Sequence, residues 1–352
     1  MPSVIDSEPE TGIAVGRSLL EVEALQTQFF TRDGIVRAVD GVSFDVHRGE
    51  TVGVVGESGS GKSVTALSIM RLLPPGNARI VGGRIRLDGR DLTDVDEATM
   101  RRIRGGDVAM IFQEPMTSLN PVLKIGYQLA EAIGVHRGFG RRSARQHALA
   151  MLKLVRIPEP ERRLNQYPFE LSGGMRQRVM IAMALSCDPK LLIADEATTA
   201  LDVTIQAQIL ELIKDLKARL GMAVIMITHD LGVVAETADR VVVMYAGKVV
   251  EKASVKDLFR QPLHPYTRGL LASIPKLPVA GVELRGKREP LPELQGFVPS
   301  LRNPPAGCRF AERCAMARPR CRAEEPPLVR VGGGRESACF FWQEMTGDRV
   351  HG

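Results

Sequence analysis

The chain has no long hydrophobic run. Its longest uninterrupted apolar stretch is seven residues, Val179 to Leu185, against the ~20 that a membrane-spanning helix requires. It also lacks a leader of secretory type, because residues 1–16 are polar and acidic, with neither a basic start nor an apolar segment. These two absences predict a subunit that does not itself cross a bilayer and that works in the cytoplasm. There is no internal repeat. The net charge of +6 is spread widely. Its one dense run, Arg137 to Arg145 (RGFGRRSAR), has too little aromatic content for a base-stacking surface. That run is read as a solvated loop between helices, with no nucleic-acid partner expected and a weak attraction to an anionic membrane surface left open. Cysteine is sparse: five in 352 residues, Cys187 alone and four crowded between 308 and 339. A reducing cytosol points such a cluster to a metal site before disulfides. A hydrophobic content of 44% with a mean hydropathy of −0.04 describes a globular chain able to bury one large core or two modest ones.

Against these absences stands one dense motif. Gly56-Glu57-Ser58-Gly59-Ser60-Gly61-Lys62-Ser63 fits G-x-x-x-x-G-K-[ST] and follows the apolar run Val52 to Val55. A strand entering such a loop marks a phosphate site. The glycines allow successive backbone N–H groups to turn inward around a phosphate. Lys62 supplies a compact cation for the β- and γ-phosphates, the Ser63 hydroxyl is a Mg²⁺ ligand, and the helix starting at Lys62 adds its positive end.

Further motifs follow in order. Leu171-Ser172-Gly173-Gly174-Met175 precedes an Arg-, Val- and Ala-rich helical stretch; Leu191 to Ala194 runs apolar into Asp195 and Glu196; Thr198-Thr199-Ala200-Leu201-Asp202 comes next; and His229 closes the apolar run Ala223 to Thr228. Together with the phosphate loop, this set resembles the ATP-binding cassette (ABC) transporter ATPases over about residues 20 to 275. The resemblance implies an α/β fold: a P-loop NTPase core of ABC type with a parallel sheet, an antiparallel β subdomain, an inserted helical subdomain and a loop-rich, cysteine-containing C-terminal extension. The expected division is a disordered tail over 1–17, a nucleotide-binding core over 18–113 and 171–260, a helical subdomain over 114–170 and an extension over 261–352. Helical periodicity from Lys124 to Val155, and strand-like runs at Leu20–Leu25, Val42–Val46, Val52–Val55, Arg84–Leu87, Val108–Phe112, Leu191–Ala194, Ala223–Ile227 and Val241–Met244, agree with that division. Val203 to Leu220 reads as an amphipathic helix, and the helix after the phosphate loop is expected to stop at Pro74-Pro75.

The same resemblance implies an ATPase using ATP and Mg²⁺. Gly56, Ser58, Gly59, Ser60, Gly61, Lys62 and Ser63 hold the phosphates, with Ser63, Gln113 and Asp195 around Mg²⁺. Glu196 orients the attacking water, and His229 and Gln113 contact the γ-phosphate. Phe29 stacks on adenine, with Phe30 as the alternative. Ser172, Gly173 and Gly174, with Asp202, cap the nucleotide of an opposing subunit, so that each active site is shared. Two departures from the family pattern are Met175, where Gln is common, and Ala197, where Pro is usual and whose presence is expected to loosen the turn after Glu196.

Gln113 to Pro121 (QEPMTSLNP), His264-Pro265-Tyr266-Thr267 and the spacing Cys308-x5-Cys314-x6-Cys321-x17-Cys339 are similar to the dipeptide and oligopeptide importer branch, nearest its D-type ATPases. That implies a homologous partner ATPase, two transmembrane permeases, an extracytoplasmic peptide-binding protein and a place at the cytoplasmic face of the membrane. Import of nickel, glutathione or another small solute is the alternative, and a soluble ABC ATPase of DNA repair or translation a third reading. The resemblance favours a [4Fe-4S] cluster on Cys308, Cys314, Cys321 and Cys339; Zn²⁺ is the alternative, although short C-x2-C knuckles are absent. Cys187 reads as a small buried residue on the helix after Gly174.

Overall fold

The computed structural model describes residues 18–112, 118–197, 202–274 and 294–346. Its strands are β1 (Ser18–Thr31), β2 (Gly34–His47), β3 (Thr51–Val55), β4 (Ala78–Leu87), β5 (Arg90–Asp91), β6 (Val108–Ile111), β7 (Leu191–Asp195), β8 (Ala223–Ile227), β9 (Arg240–Tyr245), β10 (Lys248–Ser254), β11 (Val329–Gly332) and β12 (Arg335–Ser337). They form two sheets. An antiparallel sheet has the order β2-β1-β4-β5, and an eight-stranded sheet the order β11-β12-β10-β9-β3-β8-β7-β6. In the larger sheet β9, β3, β8, β7 and β6 run parallel. Every residue of β3, β7 and β8 is buried, as strands covered on both faces require.

The antiparallel strands are longer than their apolar runs. β1 and β2 span 14 residues each, from Ser18 opposite His47 to Thr31 opposite Gly34. The polar residues between are carried by the ladder and by the bulges within it. The core splits by sheet face: Val52, Val54, Ile193 and Ile225 pack with the antiparallel sheet and the helix Lys62–Ile69, while Leu192, Val224 and Met226 face the helices Gly173–Leu185 and Val203–Leu220. The latter helix has the expected bounds and buries Ile209, Leu212, Ile213 and Leu216.

Two expectations need correction. The helix after the phosphate loop ends at Ile69, and Arg71 already has a φ of 50°; the left-handed turn, not Pro74, ends it. The basic run is not a loop. Arg137 closes the helix Ile125–Arg137 and Arg141 opens the helix Arg141–Leu154, leaving only three residues between them; Arg137 is paired with Asp188 and lies over the Phe139 ring. The extension is stitched to the core sheet, because β12 pairs with β10 through Glu251–Ser337 and Lys252–Glu336, and β11 completes a hairpin. Among the described residues no helix is long and apolar enough to cross a membrane.

Candidate functional site

The phosphate loop is shaped by contacts that only glycine permits at its two ends. Gly56 leaves β3 with a φ of 151°, and a Cβ there would lie 2.1 Å from the Met244 carbonyl oxygen. Gly61, with a φ of 99°, would place a Cβ 2.5 Å from the Ala38 carbonyl oxygen. Lys62 then starts the helix Lys62–Ile69, and its ammonium lies inside the loop, donating to the carbonyls of Gly56 (2.7 Å) and Glu57 (2.9 Å) and to Ser60 Oγ (3.3 Å). Burial lowers the Lys62 pKa, and Glu196, Asp195 and Glu57 oppose that shift.

Asp195 ends β7 beside this loop. The Ser63 hydroxyl donates to Asp195 Oδ1 at 3.0 Å. Burial raises the Asp195 pKa, the Ser63 hydrogen bond opposes it, and the neighbouring Glu196 carboxylate adds to the rise. Two carboxylates beside a hydroxyl and an ammonium make a site that gains from a divalent cation. Glu196 itself has a φ of 47°. Its N–H donates to the Ile227 carbonyl at 2.9 Å, which turns the chain out of the sheet and brings Glu196 Oε1 to 3.3 Å from His229 Nδ1. The following turn is tied rather than loose: Ala197 is buried and its carbonyl accepts from Gln177 Nε2 at 2.5 Å. No local motif marks Gln177, an amide on the helix Gly173–Leu185 that reaches the residue next to Glu196.

Ser172 caps that helix, its hydroxyl accepting from the Met175 N–H at 3.4 Å, with Ser172 and Gly173 exposed. Asp202 caps the helix Val203–Leu220, accepting from the Ile205 N–H at 2.9 Å. The two helix starts meet, since a Cβ on Gly174 would lie 2.9 Å from Ile205 Cγ2. Phe29 and Phe30 are neighbours on β1 and so point to opposite faces. The Arg79 guanidinium covers the Phe30 ring at 4.3 Å. Gln113 and residues 198–201 lie outside the described residues.

The cysteine quartet is drawn together in part. Cys308, Cys314, Cys321 and Cys339 all line one pocket of about 350 Å³, open mouth included, with Phe310, Phe340 and Phe341. Burial first, and then the neighbouring thiols, push Cys308 and Cys339 up to about 11. Yet among the described residues no three His, Cys, Asp or Glu side chains converge closely enough to hold a single metal ion. The tetrahedral zinc alternative therefore finds no support in this arrangement, and the cluster is not shown by it. Cys187 lies just beyond the helix Gly173–Leu185 rather than on it, half-buried, with Sγ 3.9 Å from the Ala132 carbonyl oxygen.

A glycine loop leading from a buried strand into a helix, with an Asp–Glu pair at the end of a neighbouring parallel strand, defines a P-loop nucleoside triphosphatase. A family model described as "ABC transporter" matches residues 39–199, and one described as "Oligopeptide/dipeptide transporter, C-terminal region" matches residues 250–321. The chain is 58% identical to the probable peptide ABC transporter ATP-binding protein y4tR of Sinorhizobium fredii, over 93% of this chain and 96% of that one. It is 53% identical to the oligopeptide transport ATP-binding protein AppD of Bacillus subtilis, over 93% of this chain and 98% of that one. Among solved structures it resembles the dimeric, ADP- and Pi-bound post-hydrolysis state of the ATP-binding cassette MJ0796, with a TM-score of 0.61 and 28% identity over 67% of this chain and 98% of that one. The chain belongs to the ABC transporter family and is an ATP-hydrolysing subunit of it. Cys339 lies beyond the matched C-terminal region, and in the fold it lines the same pocket as the other three cysteines.

Proposed function

We propose that this chain powers uptake of dipeptides or oligopeptides as one of two homologous ATPases docked on two permeases at the cytoplasmic face of the membrane, supplied by an extracytoplasmic binding protein. The observation that carries the reading is the fusion of a region matching the ABC transporter family to one matching the oligopeptide/dipeptide transporter C-terminus; the chain spans nearly the whole length of relatives named for peptide transport. Its working division is a core over 18–113 and 171–260, a helical subdomain over 114–170 and the extension over 261–352.

In the proposed mechanism the loop Gly56–Ser63 holds the triphosphate, and Ser63, Asp195 and Gln113 would hold Mg²⁺, which would offset phosphate charge. Phe29 stacks on adenine. Glu196 positions the attacking water, while His229 holds Glu196 and contacts the γ-phosphate. Ser172, Gly173 and Gly174, with Asp202, close over the partner's nucleotide, so that two ATP molecules join the ATPases and hydrolysis releases them. Coupling requires that solute arrival outside favour the closed pair. ATPase activity of the reconstituted transporter, measured with its binding protein and a panel of di- and oligopeptides, should rise with peptides. A rise with nickel or glutathione and none with any peptide would overturn the substrate class.

Cys308, Cys314, Cys321 and Cys339 are further proposed to ligate a [4Fe-4S] cluster. The support for this reading is that all four thiols line one pocket. Bound there, the cluster would supply a structural staple for the extension.

A further inference from the structure

We propose that Arg313 and Tyr266, both in the C-terminal part of the chain, are positioning residues of the nucleotide site that hold Glu57 of the phosphate loop. Arg313 donates two hydrogen bonds to the Glu57 carboxylate, Nη1 to Oε2 at 2.7 Å and Nη2 to Oε1 at 3.0 Å, across 256 residues of sequence. The side chain of Arg313 is only 5% exposed, and its remaining donors go to the carbonyls of Leu294 and Gln295 and to Tyr245 Oη. Such a planar, bidentate and part-buried pair favours one geometry. Tyr266 acts on the same residue from the backbone side: its hydroxyl accepts from the Glu57 N–H at 2.8 Å. Tyr266 is itself fixed in an aromatic cluster with Tyr245, at 4.6 Å between ring centroids, and Phe310, at 5.4 Å.

The electrostatics explain why this matters for ATP. Glu57 is an anion built into a loop whose purpose is to bind a polyanion. Unpaired, it would repel the triphosphate and draw on the Lys62 ammonium, whose pKa it already shifts upward. Arg313 neutralises it and turns it away, while Tyr266 keeps the Glu57 N–H in place so that the following N–H groups stay arranged for phosphate. The extension thereby reaches the nucleotide site without any residue touching the nucleotide. The role rests on the ATP site alone and is independent of the transported solute and of any metal on the cysteines.

The test is titration of the purified full-length chain with the fluorescent nucleotide mant-ATP. Arg313→Gln should weaken binding about tenfold, the size of a charge-assisted pair in a part-buried site. The double variant Glu57→Gln/Arg313→Gln should recover most of that loss, because the unneutralised carboxylate is gone; a purely structural role for Arg313 offers no such rescue. Tyr266→Phe, which keeps the ring in its cluster and removes only the acceptor, should weaken binding about threefold. Unchanged affinity in Arg313→Gln and Tyr266→Phe would overturn the proposal, as would a double variant as weak as Arg313→Gln. If Arg313→Gln does not fold, Tyr266→Phe decides it, since unchanged affinity in that variant alone would overturn the proposal. A wild-type chain that binds no mant-ATP would instead remove the nucleotide site itself.

Discussion

His229 Nδ1 stands 3.3 Å from Glu196 Oε1, although the two residues are 33 positions apart and leave different strands. Each is delivered by the end of a parallel strand, β7 for Glu196 and β8 for His229. The carboxyl ends of adjacent parallel strands are where side chains from distant sequence can meet beside a bound ligand.

Glu196→Gln is expected to keep ATP affinity while slowing turnover ~10²-fold or more, since the amide retains the shape but loses the water-orienting charge. Binding and single-turnover hydrolysis at saturating ATP and Mg²⁺ separate the two effects. Hydrolysis at the wild-type rate would exclude Glu196 as the water-positioning group.

Lys62→Ala should act on the other quantity. The ammonium sits inside the loop, within reach of the Gly56 and Glu57 carbonyls, where bound phosphate oxygens use it before any bond breaks. Nucleotide affinity should fall at least ~10-fold, and equilibrium titration with ATP is the check.

Ser172 caps a helix and is exposed. Ser172→Arg should therefore leave ATP binding to the separate subunit nearly intact and abolish hydrolysis in the assembled pair. Loss of binding in the separate subunit would sink the shared-site reading.

The cysteine reading predicts brown, anaerobically purified protein with about four iron atoms per chain and broad absorbance near ~400 nm. Cys314→Ser should lose most of that iron. Stoichiometric zinc without iron, or a Cys314→Ser variant with full iron content, would refute the ligand set.

Two buried groups where the extension meets the core set an acid response. His264 caps the helix Pro265–Ala272, its Nδ1 accepting from the Tyr266 N–H. Burial drives its pKa from 6.5 to about 3, opposed by a hydrogen bond with Ala338. A depressed base costs stability as pH falls below its unfolded value, so His264 contributes a loss from about pH 6.5 down to about 3. Glu251 works in the opposite direction. Burial raises it from 4.5 to about 7, against hydrogen bonds from the N–H groups of Leu263 and His264, so its contribution is full below pH 4.5 and is lost as pH rises to about 7. Between about 4.5 and 6.5 the two slopes oppose each other, and acid destabilisation from this pair should begin near pH 4.5. In Glu251→Gln it should begin near pH 6.5, at roughly 1.4 kcal/mol per pH unit. Melting temperatures across pH 3.5 to 7.5 would show the shift, and identical profiles would refute it.

Local chemistry sufficed for the phosphate loop, the Asp195-Glu196 pair and the helix Val203–Leu220, because each is specified within a few residues: glycines at forced turns, an apolar run ending in carboxylates, apolar residues at helical spacing. Sequence also grouped the four cysteines, which lie within 32 residues. Only the tertiary structure decided what distant segments do to one another. It tied Ala197 to Gln177, stitched β12 to β10, brought Cys339 to the pocket of the other three cysteines, and set Arg313 and Tyr266 against Glu57. Those pairings carry no local signal, because a buried guanidinium or phenol takes its partner from the packing of whole elements and not from its neighbours along the chain.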